Sequence, residues 1–373
     1  MRLYLVLIFF LFISPNINAV DTRASQAIVV DYNTNEILYE KNANQIIPPA
    51  SMTKIMTVYV VFDRITKTDL SIEDICIVSP KAYKMGGSRT FLEIDDRVTI
   101  DDLLKGVIVQ SGNDASVALA ECLSGTENDF ANLMNIYAKK LLMINTSFVN
   151  SSGWPMKNHY STVKDLSILS NSIIKDFPDL YKYFNSRQFT YNQINQPNRN
   201  KLLSEIEGAD GLKTGFTKKS GWGIAGSALK GNRRITVVIN GTNSSRSRIK
   251  ESTYLMNWAF TQTSQKKLLQ KGQVIKNVDV WLGNKPTINL IVENDVISTL
   301  SYDQIQTIET RIIYNKPINA PFKKGEKLGI IKISISGKET LEIPLISESK
   351  VKKSNPFLKL LYAAKYLIFG NSL

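Results

Sequence analysis

Histidine occurs once in this chain, at position 159. A serine or cysteine hydrolase of the histidine type would have to use His159, and a histidine-rich zinc site cannot be assembled at all. Cysteine is nearly as scarce. Cys76 and Cys122 form no close metal-binding pair and read as small buried hydrophobes. Their oxidation to a disulfide stays open, because the Cα separation cannot be read from sequence. Acidic residues are outnumbered, 33 against 46 basic ones, for a net charge of +13. Such a surplus suits nucleic acid, an anionic lipid surface or an acidic polymer. No zinc finger, RNA-recognition signature or aromatic-interleaved basic stripe occurs, so nucleic acid is not an expected partner. No metal or cofactor is called for either.

What is present begins with an export signal. Arg2 precedes the apolar run Leu5 to Ile13, Ser14-Pro15 breaks it, and Ile17-Asn18-Ala19 ends in a small residue. The run is short for a membrane span, and residues 1–19 read as a signal peptide cut after Ala19.

Strand patterns at Ala27 to Asp31 and Ile37 to Glu40 flank a turn, as in a hairpin. Ser51 then opens a helix that is apolar on nearly every side, through Ile55, Met56, Val58, Tyr59, Val60, Val61 and Phe62. Such a helix belongs in the middle of a domain. Helical patterns follow at Ile100 to Val109, Ala115 to Cys122, Asp129 to Leu141 and Thr162 to Ile174. Strands return at Gly211 to Thr217, Gly223 to Ala228 and Arg234 to Asn240, before a helix from about Arg248 to Phe260. That order implies one sheet made from both ends of a domain spanning 20–264, with flanking helices. Short β-like runs over 265–349 imply a small all-β domain. The last segment, 350–373, places Phe357, Leu360, Leu361, Ala364 and Ile368 at helical spacing among lysines, with no acidic residue after Glu348. It reads as an amphipathic helix lying on a membrane surface.

Ser51-Met52-Thr53-Lys54 brings a hydroxyl and an amine within reach on one helix face. A lysine in a desolvated helix has reason to lose its proton near neutral pH, and can then take one from serine. The same spacing recurs elsewhere, at Ser161 and Lys164 for example, so the pair is informative only with its companions. One is Ser111-Gly112-Asn113, in a turn between helices, which offers a hydroxyl to shuttle a proton and an amide to hold a substrate amide. The other is Lys213-Thr214-Gly215 on a strand, which offers a cation and a hydroxyl for a carboxylate. Its glycine would let substrate backbone lie against the strand.

These three motifs, in this order, resemble those of the low-molecular-mass penicillin-binding proteins, the serine D-alanyl-D-alanine carboxypeptidases. The resemblance covers nearly the whole chain, including Gly87-Ser88-Arg89-Thr90-Phe91, Tyr160-Ser161-Thr162, the trailing β domain and the basic tail. It implies an α/β (α+β), β-lactamase-like transpeptidase fold. It also implies that Ser51 is acylated by a peptidoglycan stem peptide, or by β-lactams as covalent inhibitors. Lys54 would be the base and Ser111 the relay. Asn113 would bind the substrate amide, and Lys213, Thr214 and Arg248 the terminal carboxylate, with backbone N–H groups of Ser51 and Phe216 as oxyanion hole. Relatives often carry histidine where this chain has Phe216. A backbone role survives that difference, and a side-chain contribution does not.

Two alternatives have weight. A serine β-lactamase shares the acylating apparatus, but the stretch from Asn150 to Leu169 lacks the glutamate that positions a deacylating water. A vestigial wall-binding protein would have no need of so complete a set of residues.

Overall fold

The computed structural model describes residues 20–355. The expected signal peptide, 1–19, and most of the expected terminal helix, 356–373, lie outside them. Two compact units are present. One takes 20–28, Tyr39–Ser227 and Val237–Leu255; the other takes Val29–Leu38, Ala228–Thr236 and 256–355.

The main sheet has five strands: β1 (Gln26–Asp31), β2 (Glu36–Lys41), β3 (Ala209–Thr217), β4 (Gly221–Lys230) and β5 (Arg233–Thr242), in the order β2-β1-β5-β4-β3. The sheet is therefore made from both ends of the domain, as the element order implies. β3 stands at its edge.

The first unit is organised on α1 (Lys54–Lys67), in which every residue from Lys54 to Asp63 is buried. Against it pack the π-helical turn at Gly106–Gln110, into which α2 (Ile100–Lys105) runs, and then α3 (Asn113–Ser124), α4 (Glu127–Lys140) and α5 (Val163–Asp176); α6 (Ser245–Gln262) follows the last strand of the main sheet. Threonines start three of these helices. Thr99, Thr126 and Thr162 each accept the backbone N–H three residues on. Each satisfies a donor that the first helical turn leaves open, worth about 1 kcal/mol per cap.

Cys76 and Cys122 form a disulfide, with Cα atoms 5.5 Å apart. This corrects the reading of two separate buried hydrophobes. Cys76 is buried, 1% exposed, whereas Cys122 is exposed, and burial of one thiol does not oppose a bond when tertiary folding brings its partner within range.

In the second unit six strands form a sheet in the order Glu309–Tyr314, Lys327–Ser334, Leu341–Ser347, Thr287–Val292, Val274–Trp281, Ile318–Asn319. Thr263–Leu269 pairs with Val296–Ser301. Leu290, Val292, Leu300, Leu345 and Val351 are fully buried in its core. Val351 pairs with Phe322, and Lys353 with Gly283. The chain is thus extended where the sequence reading begins the terminal helix, because Val351 completes the β core.

Candidate active site

Ser51 lies in a 3₁₀ turn, Ala50–Thr53, and Lys54 is the first residue of α1. With three residues per 3₁₀ turn, positions three apart eclipse, which brings the two side chains together more directly than an α-helix does. Lys54 Nζ is 3.3 Å from Ser51 Oγ. It also donates to Asn113 Oδ1 at 2.7 Å and to the Ser152 carbonyl at 2.6 Å. Lys54 is completely buried, and burial lowers its pKa to about 7; Asp114 opposes that and Arg199 adds to it.

Asn113 begins α3 and also donates to the Gly86 carbonyl at 2.7 Å. The buried carboxylate of Asp114 accepts from the Thr90 and Phe91 N–H groups, which fixes the loop at Gly87–Phe91 beside it. Ser111 occupies the left-handed conformation, φ 65°, between the π-helical turn and α3, and lines the same cleft as Ser51.

A second loop supports the lysine. Glu127 accepts from Ser151 N and Oγ, at 3.0 and 2.8 Å. Asn150 Oδ1 accepts from Gly153 N and Trp154 N. Together they aim the Ser152 carbonyl at Lys54. A Cβ on Gly153 would fall 1.9 Å from the Ala50 carbonyl oxygen, so only glycine lets this loop press against the serine turn.

The K-T-G segment lies on β3. Alternation along the strand separates Lys213 and Gly215 from Thr214 and Phe216. Lys213 is buried, and burial, then Lys54, Arg199 and Arg248, hold its pKa well below the usual lysine value. Gly215 also packs against the serine turn. A Cβ there would meet the Pro49 carbonyl at 3.0 Å, Ala50 Cβ at 3.3 Å and Met52 Cγ at 3.3 Å. The glycine admits the serine turn to the strand.

Phe216 is exposed to the cleft and its ring packs on Trp222, centroids 4.2 Å apart. The Arg248 guanidinium sits 5.3 Å over the same indole. Arg248 Nε is buried without a hydrogen-bond partner among the described residues, and burial lowers the pKa of this arginine to about 10. Arg199, which no motif signals, joins the cleft and donates to Ser88 Oγ at 2.6 Å.

His159 is occupied elsewhere. Its Nδ1 accepts from the Val149 N–H at 3.1 Å, which leaves the proton on Nε2, 2.8 Å from Thr53 Oγ1. Burial lowers its pKa to about 4. With its lone pair engaged, it is no general base.

The cleft has a volume of about 1150 Å³. Ser51, Ser111, Asn113, Thr214, Gly215, Phe216 and Arg248 all line it, whereas no described lining residue is acidic. Arg199 and the Asn150–Trp154 loop have no sequence signature of their own, since neither falls at a diagnostic spacing from Ser51.

Fold and cleft together define a serine-type acyl hydrolase built without a catalytic histidine. Residues 14–243 match the family model described as D-alanyl-D-alanine carboxypeptidase, and 264–353 match that of the penicillin-binding protein 5 C-terminal domain. The chain belongs to the D-alanyl-D-alanine carboxypeptidase family. It is 35% identical to D-alanyl-D-alanine carboxypeptidase DacC of Escherichia coli, over 91% of this chain and 86% of that one. The crystal structure of penicillin-binding protein 5 from Haemophilus influenzae is similar at a TM-score of 0.78 and 33% identity, covering 90% of this chain and all of that one. Ampicillin-bound penicillin-binding protein D2 of Listeria monocytogenes is similar at 0.60 and 31% identity, over 65% and 99%. These likenesses favour neither the β-lactamase nor the vestigial alternative.

Proposed function

We propose that this enzyme removes the terminal D-Ala from peptidoglycan stem pentapeptides through an acyl-enzyme on Ser51, and that β-lactams acylate the same oxygen. The observation that carries the proposal is the buried Lys54 amine, 3.3 Å from Ser51 Oγ with a pKa lowered to about 7. A neutral amine has two N–H donors and one lone pair. Asn113 Oδ1 and the Ser152 carbonyl take the donors, which leaves the lone pair for the serine proton.

As that proton moves to Lys54, Ser51 Oγ bonds to the penultimate D-Ala carbonyl carbon, and backbone N–H groups of Ser51 and Phe216 steady the oxyanion. The C–N bond to terminal D-Ala breaks, and the leaving nitrogen takes a proton relayed through Ser111. Water then hydrolyses the ester. Asn113 Nδ2 faces the substrate amide, while Lys213, Thr214 and Arg248 read the terminal carboxylate. The absence of acidic residues among the described lining of the cleft supports that assignment.

The proposal extends to place: export by residues 1–19, and attachment to the outer face of the cytoplasmic membrane by the basic amphipathic tail. The catalytic test is labelling with a fluorescent penicillin together with release of D-Ala from a pentapeptide. Ser51→Ala is expected to lose both while remaining folded. Labelling of a folded Ser51→Ala protein would overturn the assignment.

A further inference from the structure

The cleft carries more positive charge than one terminal carboxylate needs. Lys157, Lys218 and Lys219 line it in addition to Arg199 and Arg248. All three lysines are exposed, and no hydrogen bond or ion pair joins them to another described residue. Lys218 and Lys219 sit on a turn that is built rather than loose. Thr217 Oγ1 accepts from Ser220 N at 3.0 Å and lies 2.7 Å from Ser220 Oγ. Asn240 Nδ2 donates to the Ser220 carbonyl at 3.1 Å.

Position along β3 indicates what the turn meets. An edge strand accepts an extended peptide as an added strand, with one ligand residue per strand residue. If the terminal carboxylate lies at Thr214 and the attacked carbonyl at the Phe216 N–H, an antiparallel ligand proceeds toward Thr217 and Lys218. The residue preceding the D-Ala-D-Ala dipeptide then falls beside the two lysines, and Lys157 reaches the cleft from a separate loop.

We propose that Lys218 and Lys219, assisted by Lys157, form a second anion subsite for a carboxylate on the side chain of the residue that precedes D-Ala-D-Ala. Preferred substrates are acyl-D-Ala-D-Ala peptides whose preceding side chain ends in a carboxylate. Those ending in an amide turn over more slowly, and those ending in an ammonium slowest of all. The inference rests on the carboxypeptidase reading above and adds a substrate class to it.

The test compares kcat/KM for D-Ala release from acetyl-2-aminoadipyl-D-Ala-D-Ala, linked through the α-carboxyl, and from its side-chain amide. Exposed ion pairs are individually weak, so the carboxylate peptide is expected to lead by roughly three- to tenfold at low salt. That lead should shrink at high salt through screening. In a Lys218→Gln/Lys219→Gln variant the two peptides should become nearly equal, through a loss confined to the carboxylate peptide. An unchanged penicillin acylation rate verifies that the variant is folded. Equal turnover of both peptides by the unaltered enzyme overturns the subsite and leaves the carboxypeptidase reading intact. So does a preference that survives when Lys157→Gln is added to the double variant. If neither peptide releases D-Ala, the carboxypeptidase reading itself fails, and the subsite with it.

Discussion

Asn113 Oδ1 accepts from Lys54 Nζ at 2.7 Å, closer than the 3.3 Å between that nitrogen and Ser51 Oγ. The amide carries no charge, so it orients the amine without holding a proton on it. Asn113 thus acts on Lys54 besides its proposed contact with substrate, and its neutrality matters as much as its shape.

The acid limb of acylation reports this relationship. A lysine can act as a base only when neutral, and the pKa of Lys54 is lowered to about 7. The rate constant for penicillin acylation should therefore rise with pH through about 7 and level off above it. Asn113→Asp places a carboxylate against the ammonium and favours the charged form. The limb should move upward by roughly one to three pH units. A limb that stays in place in Asn113→Asp would show that Lys54 is not the titrating group.

Gly153→Ala tests the support beneath the serine turn. The new Cβ would lie 1.9 Å from the Ala50 carbonyl oxygen, and φ at this position is +79°. Both the loop and the turn must give way, at a cost of about 2 kcal/mol or more. The expected result is a lower unfolding midpoint together with a loss of acylation. Ordinary kinetics in this variant would mean that the loop does not set the serine position.

The disulfide closes a sequence separation of 46 residues and ties the strand Ile75–Ile77 to α3, the helix that begins at Asn113. Loop-closure entropy for that length is about 4 kcal/mol in the chain-entropy account, with typical measured effects of about 2–4. A Cys76→Ala/Cys122→Ala variant should accordingly unfold at lower urea concentration. Reductant should lower the midpoint of the native protein and leave the variant unaffected. A variant as stable as the parent would exclude a structural role for the bond.

Much of this was legible before any coordinates, and the reasons differ from residue to residue. Ser51 and Lys54 are neighbours in sequence, so local spacing reveals them. The β1–β2 hairpin is likewise local. Ser152 and Lys54 are 98 positions apart, and no periodicity connects them; only the folded loop brings that carbonyl to the amine. Arg199 escapes notice for the same reason. Gly215 shows a different limit, since its presence was legible and its contact with the serine turn, on one face of the strand, was not. The cysteines show it again, because only tertiary contact reports their pairing, and it leaves Cys122 exposed.

The tail gives the last prediction, and Val351 decides where to cut. Val351 is fully buried, and it exchanges backbone hydrogen bonds with Phe322 at 3.1 Å in both directions. Ser354 N donates to the Leu282 carbonyl at 2.8 Å. A chain ending at Lys350 would lose these bonds and a buried valine, worth about 1.5–3 kcal/mol in apolar burial alone. A chain ending at Asn355 keeps them and still lacks Phe357, Leu360, Leu361 and Ile368, the apolar side of the proposed anchor. Burial of those side chains in the lipid interface contributes about 0.8 kcal/mol per CH₂ by the lipid-anchor scale. Lys359 and Lys365 add roughly 1 kcal/mol each near an anionic surface. The full chain should therefore pellet with membranes, and high salt should loosen it only in part. The chain ending at Asn355 should be released with unchanged D-Ala turnover and an unchanged unfolding midpoint. The chain ending at Lys350 should also be released, with a lower midpoint for the second unit. If the chain ending at Asn355 still pellets after signal cleavage, another surface attaches the protein, and the tail must be assigned to a partner instead.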